Sequence, residues 1–217
     1  MRTVTAVTAR SNIVLGAVLL AIFVALGFVV RGSPGMVDDA LRETIGGHWQ
    51  GVAGTAAAAV SLVLGPPLPV ITGVALIVAT VRLRQLGDPR AGITFRVLIL
   101  LGACRITSVV AKPVFARDRP RAYPDAFSYP SGHVASVAST GFALVVLCAW
   151  LYPRLVRLVW WLAVVATGLA AAARVALGVH WLTDTVGSVL AVGGVGLLLG
   201  VALKLLPPPR GGVASAS

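Results

Sequence analysis

The sequence predicts an all-α, polytopic membrane protein: a six-helix transmembrane bundle with a short interfacial helical region between its first two spans. Two observations carry this. Hydrophobic residues make up 58% of the 217 residues, charged ones only 12%, and mean hydropathy is +0.93, a composition typical of membrane bundles. Apolar runs long enough to cross a bilayer also recur along the chain, separated by short polar segments. The formal charge of +11 would suit a nucleic-acid binder. The basic residues, however, are scattered between apolar runs, where they read as topology signals and site residues, so no nucleic-acid partner is expected. Cys104 and Cys148 both fall inside apolar runs and read as small packing residues, not as a disulfide or a metal site.

The elements follow in order. Arg2 and Arg10 precede Ile13–Val30, 18 apolar or small residues that form the first span. A cleaved signal peptide is the competing reading. The length of the run, and the lack of a clear small-x-small site after it, favour an uncleaved helix. Residues 31–50 are polar, with Met36–Ile45 suited to a short amphipathic helix. Residues 51–64 are apolar, short and alanine-rich, and are closed by Gly65-Pro66-Pro67-Leu68-Pro69. They form either a helix at the interface or bundle mouth, or the first half of a proline-broken span. Further spans are expected at 67–81, 91–111, 132–151, 158–173 and 182–206. Residues 1–206 thus make one domain, and 207–217 a disordered Pro/Gly/Ser-rich tail. Gly193, Gly194, Gly196 and Gly200 give the last span a small-residue face, read as intramolecular packing ahead of a dimer seam. Monomer and homodimer both stay open. Arg105, within the third span, has no assigned role.

Basic residues orient the bundle. With the N-terminus inside, ten Lys/Arg lie inside and seven outside. Setting aside Lys112, Arg119 and Arg174 as site residues leaves ten against four. The expectation is a cell-membrane protein with both termini cytoplasmic and the polar site on the extracytoplasmic side.

Three polar clusters fall on that outer side. The first is Lys112 through Arg119-Pro120. The second is Pro130-Ser131-Gly132-His133. The third is Arg174 through His180 to Asp184. Pro130 cannot sit inside a helix, and Ser131 is a good N-cap, so Ser131, Gly132 and His133 open a membrane helix. The amides and dipole of such a turn suit an anion, and Gly132 lets it come close. Snorkelling explains any one of these ionisable residues, but not why they gather where three loops meet.

Such a set fits phosphoryl transfer, whose transition state spreads negative charge over equatorial oxygens. Lys112, Arg119 and Arg174 would bind those oxygens, the arginines in forked fashion. No acidic cluster suited to holding Mg²⁺ is visible, so neither metal nor cofactor is expected. His180 is the candidate nucleophile. Asp184, four residues on, would hold the proton of its far ring nitrogen. His133 is left as general acid.

With these motifs in place, the chain resembles the type 2 phosphatidic acid phosphatase and vanadium haloperoxidase superfamily. That family's pattern is Lys-x6-Arg-Pro, Pro-Ser-Gly-His and Ser-Arg-x5-His-x3-Asp. Here it stands as Lys112…Arg119-Pro120, Pro130-Ser131-Gly132-His133 and Ala173-Arg174…His180…Asp184. All three spacings match, and Ala173 replaces the family's serine. The resemblance implies a metal-independent membrane phosphatase working through a phosphohistidine on His180. Its substrate would be a lipid phosphate or pyrophosphate drawn from the bilayer: undecaprenyl pyrophosphate, phosphatidic acid or phosphatidylglycerol phosphate. A lipid phosphotransferase using the same site is the alternative. A haloperoxidase fits the membrane composition poorly, and a transporter would need no nucleophile.

Overall fold

The computed structural model describes residues 2–45, 50–121, 124 and 127–208, with side chains from Val7 onward. These residues form eight α-helices: α1 (Arg2–Val30), α2 (Met36–Ile45), α3 (Val52–Val63), α4 (Pro67–Gln85), α5 (Ala91–Phe115), α6 (Gly132–Leu151), α7 (Val156–Ala176) and α8 (Leu182–Ala202). A 3₁₀ turn, Pro153–Leu155, leads into α7. Six segments are long and apolar enough to cross a membrane, and the chain is a multi-pass membrane protein. The expected tail from 209 onward lies outside the described residues.

Helix α6 is the centre of the bundle, packing on α4, α5, α7 and α8, while α1 lies along α8. The main core joins Leu76 of α4, Val97, Leu100 and Cys104 of α5, Ala143 and Val146 of α6, and Val192 of α8. The glycine face of α8 serves packing within the chain. A Cβ on Gly194 would stand 2.6 Å from Leu20 and 3.0 Å from the Gly16 carbonyl, both on α1. Small residues here let two backbones approach closely, as in membrane helix pairs generally.

Several boundaries differ from expectation. Helix α1 begins well before Ile13, α4 runs on to Gln85, and α7 is longer at both ends than 158–173. Helix α5 continues past Ala111 and through Pro113, ending where Ala116 turns left-handed at φ 46° and donates its N–H to the Lys112 carbonyl. The proline removes one amide from the helix, and the last turn closes around it. Helix α8 stops at Ala202, and the chain reverses through Lys204 (φ 56°). Arg96 and Trp150 hold that reversal through the carbonyls of Leu203 and Leu205.

Helix α3 is separate from α4. The chain breaks at Leu64 and Pro66, and α3 packs against α7, with Leu64 and Leu68 set against Val134, Val137 and Ala170. Residues 51–64 and the expected span at 67–81 fall within one apolar segment, Val52–Gln85, which the prolines break into α3 and α4. An aromatic cluster fastens the loop before α6 to α1. Tyr129 stacks on Phe23 (centroids 5.4 Å), meets Phe115 edge-on (5.1 Å), and donates its hydroxyl to the Phe23 carbonyl at 2.7 Å.

Candidate active site

His180 lies just before α8 and is 3% exposed. Trp181, the N-cap, has extended backbone, and its N–H donates to Asp184 Oδ2 at 2.9 Å. An acid at the third position of the helix thus satisfies an orphan amide and favours the dipole. The same oxygen stands 3.2 Å from His180 Nδ1. On the other side of the ring, Arg119 Nη1 stands 3.2 Å from Nε2. A guanidinium only donates, so Nε2 accepts, and Nδ1 carries the proton that it donates to Asp184. The free lone pair therefore sits on Nε2, pointing at the cationic side chains.

Burial pushes the His180 imidazole down to about 4. Asp184 opposes that shift through its hydrogen bond and charge, and the charges of Arg119 and Arg174 add to it. The ring is neutral at ordinary pH, as a nucleophile requires.

Lys112, on the last turn of α5, and Arg119 Nη2 both donate to the Phe127 carbonyl, and Arg119 Nη1 also donates to the Val179 carbonyl. The structure therefore brings Lys112, Arg119, His180 and Asp184 into one hydrogen-bonded chain. Arg174, on the last turn of α7 and 4% exposed, donates to Ser61 Oγ at 3.0 Å. Ala173 is buried, and α3 brings the serine hydroxyl that meets Arg174. His133, in the first turn of α6, lies against Gly65 at the α3–α4 break. One segment, 61–65, thus touches both Arg174 and His133.

Ser131 departs from its expected capping role. It is the N-cap of α6, yet its side chain makes no cap hydrogen bond. Its hydroxyl is buried with no partner among the described residues. Its backbone is tied to α8 instead: its N–H donates to the Asp184 carbonyl at 3.2 Å, and its carbonyl accepts from Ser188 Oγ at 2.9 Å. Gly132 follows with nothing within 4 Å of where a Cβ would stand, leaving room beside the first turn. Among the described residues no group of three His, Cys, Asp or Glu side chains is placed to hold a metal ion. Arg105 is half-buried and donates to Ser108, on the same helix, at 2.8 Å.

Four residues went unrecognised in the sequence. Arg117 reads there as a topology charge, yet it is 2% exposed and forks between Asp184 Oδ1 (2.7 Å) and Asp38 Oδ2 (2.8 Å). Asp38 reads as an ordinary first-turn acid of an amphipathic helix. Ser128 stands with its hydroxyl 3.3 Å from Asp184 Oδ1, and Ser61 holds Arg174. The one available signal is scarcity: the chain has only seven acidic residues. An acid on a site-facing segment is therefore a candidate partner for a buried cation.

Fold and site together define a multi-pass helical membrane protein with a buried imidazole–carboxylate pair ringed by cationic side chains at one end of the bundle. The chain belongs to the PAP2 superfamily, whose family model matches residues 93–205, the stretch that carries all three motifs. Its fold is similar to the crystal structure of a transmembrane PAP2-type phosphatidylglycerolphosphate phosphatase from Bacillus subtilis. The TM-score is 0.70 and the identity 20%, over 88% of this chain and 96% of that one. Among curated protein sequences no match to this chain is found.

Proposed function

We propose that the protein is an integral membrane phosphatase that hydrolyses a lipid phosphate or pyrophosphate through a phosphohistidine on His180, without a metal ion. The observation that carries this is the polarity of the His180 ring. Asp184 holds Nδ1–H, while Nε2 offers its lone pair to the place where Arg119 now stands. A phosphate group entering there would take over the donors of Arg119 and Lys112 from the Phe127 carbonyl, together with those of Arg174 and the unpartnered Ser131 hydroxyl.

In the first step Nε2 attacks phosphorus and the ester P–O bond breaks. The leaving oxygen takes a proton from His133. In the second step water attacks phosphorus, gives its proton to His133, and the N–P bond breaks to release phosphate. Membership of the PAP2 superfamily supports a phosphatase. The name of the Bacillus relative supports a lipid substrate, with phosphatidylglycerol phosphate, phosphatidic acid and undecaprenyl pyrophosphate as the compounds to test. A second support is an apolar groove of about 730 Å³ between α6, α7 and α8. It runs from Thr185, one residue beyond Asp184, to Leu206 at the opposite end of α8, a course suited to an acyl or prenyl chain. The basic-residue bias supports a site outside the cytoplasm with both termini inside.

The test is phosphate release by the purified protein from these three lipids, with and without a chelator and with orthovanadate, which mimics five-coordinate phosphorus. Release that survives chelation and is inhibited by vanadate is expected. Turnover that vanishes with chelator and returns with Mg²⁺ overturns the mechanism.

A further inference from the structure

Asp38 is 2% exposed, on an amphipathic helix that the family model does not cover. Its carboxylate crosses to the first turn of α8. Oδ1 accepts the Thr183 N–H at 3.1 Å, and Oδ2 accepts the Thr183 hydroxyl and Arg117 Nη2. The N-cap of α8 is a tryptophan, which brings no side-chain acceptor to those amides. Asp38 therefore caps α8 from another helix, one residue before Asp184.

We infer that Asp38 is a positioning residue for the nucleophile, acting through Arg117 and Asp184 to keep the carboxylate charge directed at His180. The inference rests on the phosphatase reading above. Its physical basis is a charge count. Arg117 stands between two carboxylates, with one nitrogen on each. Its single positive charge is shared, so the trio stays net negative, and Asp184 Oδ2 keeps charge for the Nδ1–H of His180. Without the Asp38 charge, Arg117 would pair with Asp184 alone and neutralise it. The imidazole would then lose the charge that supports its cationic character during attack. Arg117 could also swing out of register, since Asp38 and Thr183 hold its fork: Thr183 Oγ1 stands 2.7 Å from Nη1. Trp181, with Arg117 over its ring at 5.4 Å, closes the other face.

A buried ion pair can also serve only to dock α2 onto α8, so the test separates the two roles. The kcat and KM for an aryl phosphate are measured for the wild type, Asp38→Asn, Asp184→Asn and the double variant, in one detergent. Asp38→Asn should lower kcat on the order of 10–100-fold, the scale of a lost charged hydrogen bond, with KM nearly unchanged. On the Asp184→Asn background the same change should cost less than about threefold, because residues acting through one another are not additive. A full Asp38→Asn effect on that background, a loss confined to KM, or an undiminished kcat overturns the inference. If Asp38→Asn does not yield folded protein, Arg117→Lys replaces it in the same cycle under the same criteria, since a lysine keeps the charge but cannot fork. A wild type without turnover refutes the phosphatase reading instead, so the two failures are distinguishable.

Discussion

Gly65 lies so close to His133 that a Cβ on it would stand 2.8 Å from the imidazole Cδ2 and 3.3 Å from Nε2. The Ser61 carbonyl, also 2.8 Å from that point, closes the other side. A methyl group there must displace either the ring or the backbone of α3. Gly65→Ala should therefore move His133 and lower kcat on an alkyl phosphate by roughly 10–100-fold, as misplacement by about 1 Å can do. The loss should be smaller on an aryl phosphate, whose leaving group needs no proton. Equal losses on both substrates would show that the glycine does not act through His133.

The two histidines should separate by leaving group. His133→Ala should lose on the order of 10²–10⁴-fold on an alkyl phosphate, as expected for a missing general acid, and recover much of this on an aryl phosphate. His180→Ala should stay inactive on both. An acid-labile phosphoenzyme should be trapped in His133→Ala with the aryl substrate and be absent from His180→Ala. Rescue of His180→Ala by the aryl substrate would reverse the roles.

Ser61→Ala removes the hydroxyl that Arg174 meets at 3.0 Å. Arg174 should keep its charge but lose its aim, lowering kcat/KM by about tenfold, the weight of one hydrogen bond to a charged group. Steady-state kinetics check this, and an unchanged kcat/KM would show that Arg174 is positioned by other contacts.

The acid limb of activity should lie low. Burial lowers the His180 value from 6.5 to about 4, so the neutral, nucleophilic ring persists through mildly acid pH and is lost only as pH falls through the folded-state value. Stability follows the same sign. The unfolded chain takes up a proton between these two values that the folded chain does not, so stability falls as pH drops through the window. A profile of kcat/KM, corrected for ionisation of the substrate, should show no His180 inflection near 6.5. An inflection there would mean that the imidazole is hydrated.

Sidedness is checked by labelling. A cysteine placed at Pro124, between the first two motifs, should react with an impermeant thiol reagent in intact cells. The native Cys104 and Cys148 are buried and give little background. Labelling only after lysis would invert the proposed topology.

The sequence by itself determined the features that local rules govern. Span number follows from the length of apolar runs against a fixed bilayer thickness, and the number of apolar segments is the expected six. The second of them, Val52–Gln85, nevertheless takes in the alanine-rich stretch as well as the expected span at 67–81. The pairing of His180 with Asp184 is expected from their spacing within one helical turn. His180, however, stands before α8 and reaches Asp184 because the extended Trp181 turns the chain back over the first turn of the helix. Helix ends were less legible: Pro113 stands inside α5, because the packing of a membrane helix outweighs one missing amide. Tertiary structure decided what has no period. Asp38 and Arg117 are 79 residues apart, and Ser61 and Arg174 are 113 apart. An ordinary amphipathic helix and an ordinary alanine-rich one contribute these partners. No hydrophobic pattern marks them, because it records which face of a helix is apolar and not which polar side chain on another helix that face will meet. Helix packing selects those partners, and burial enforces them, since a cation removed from water must find an acceptor within reach.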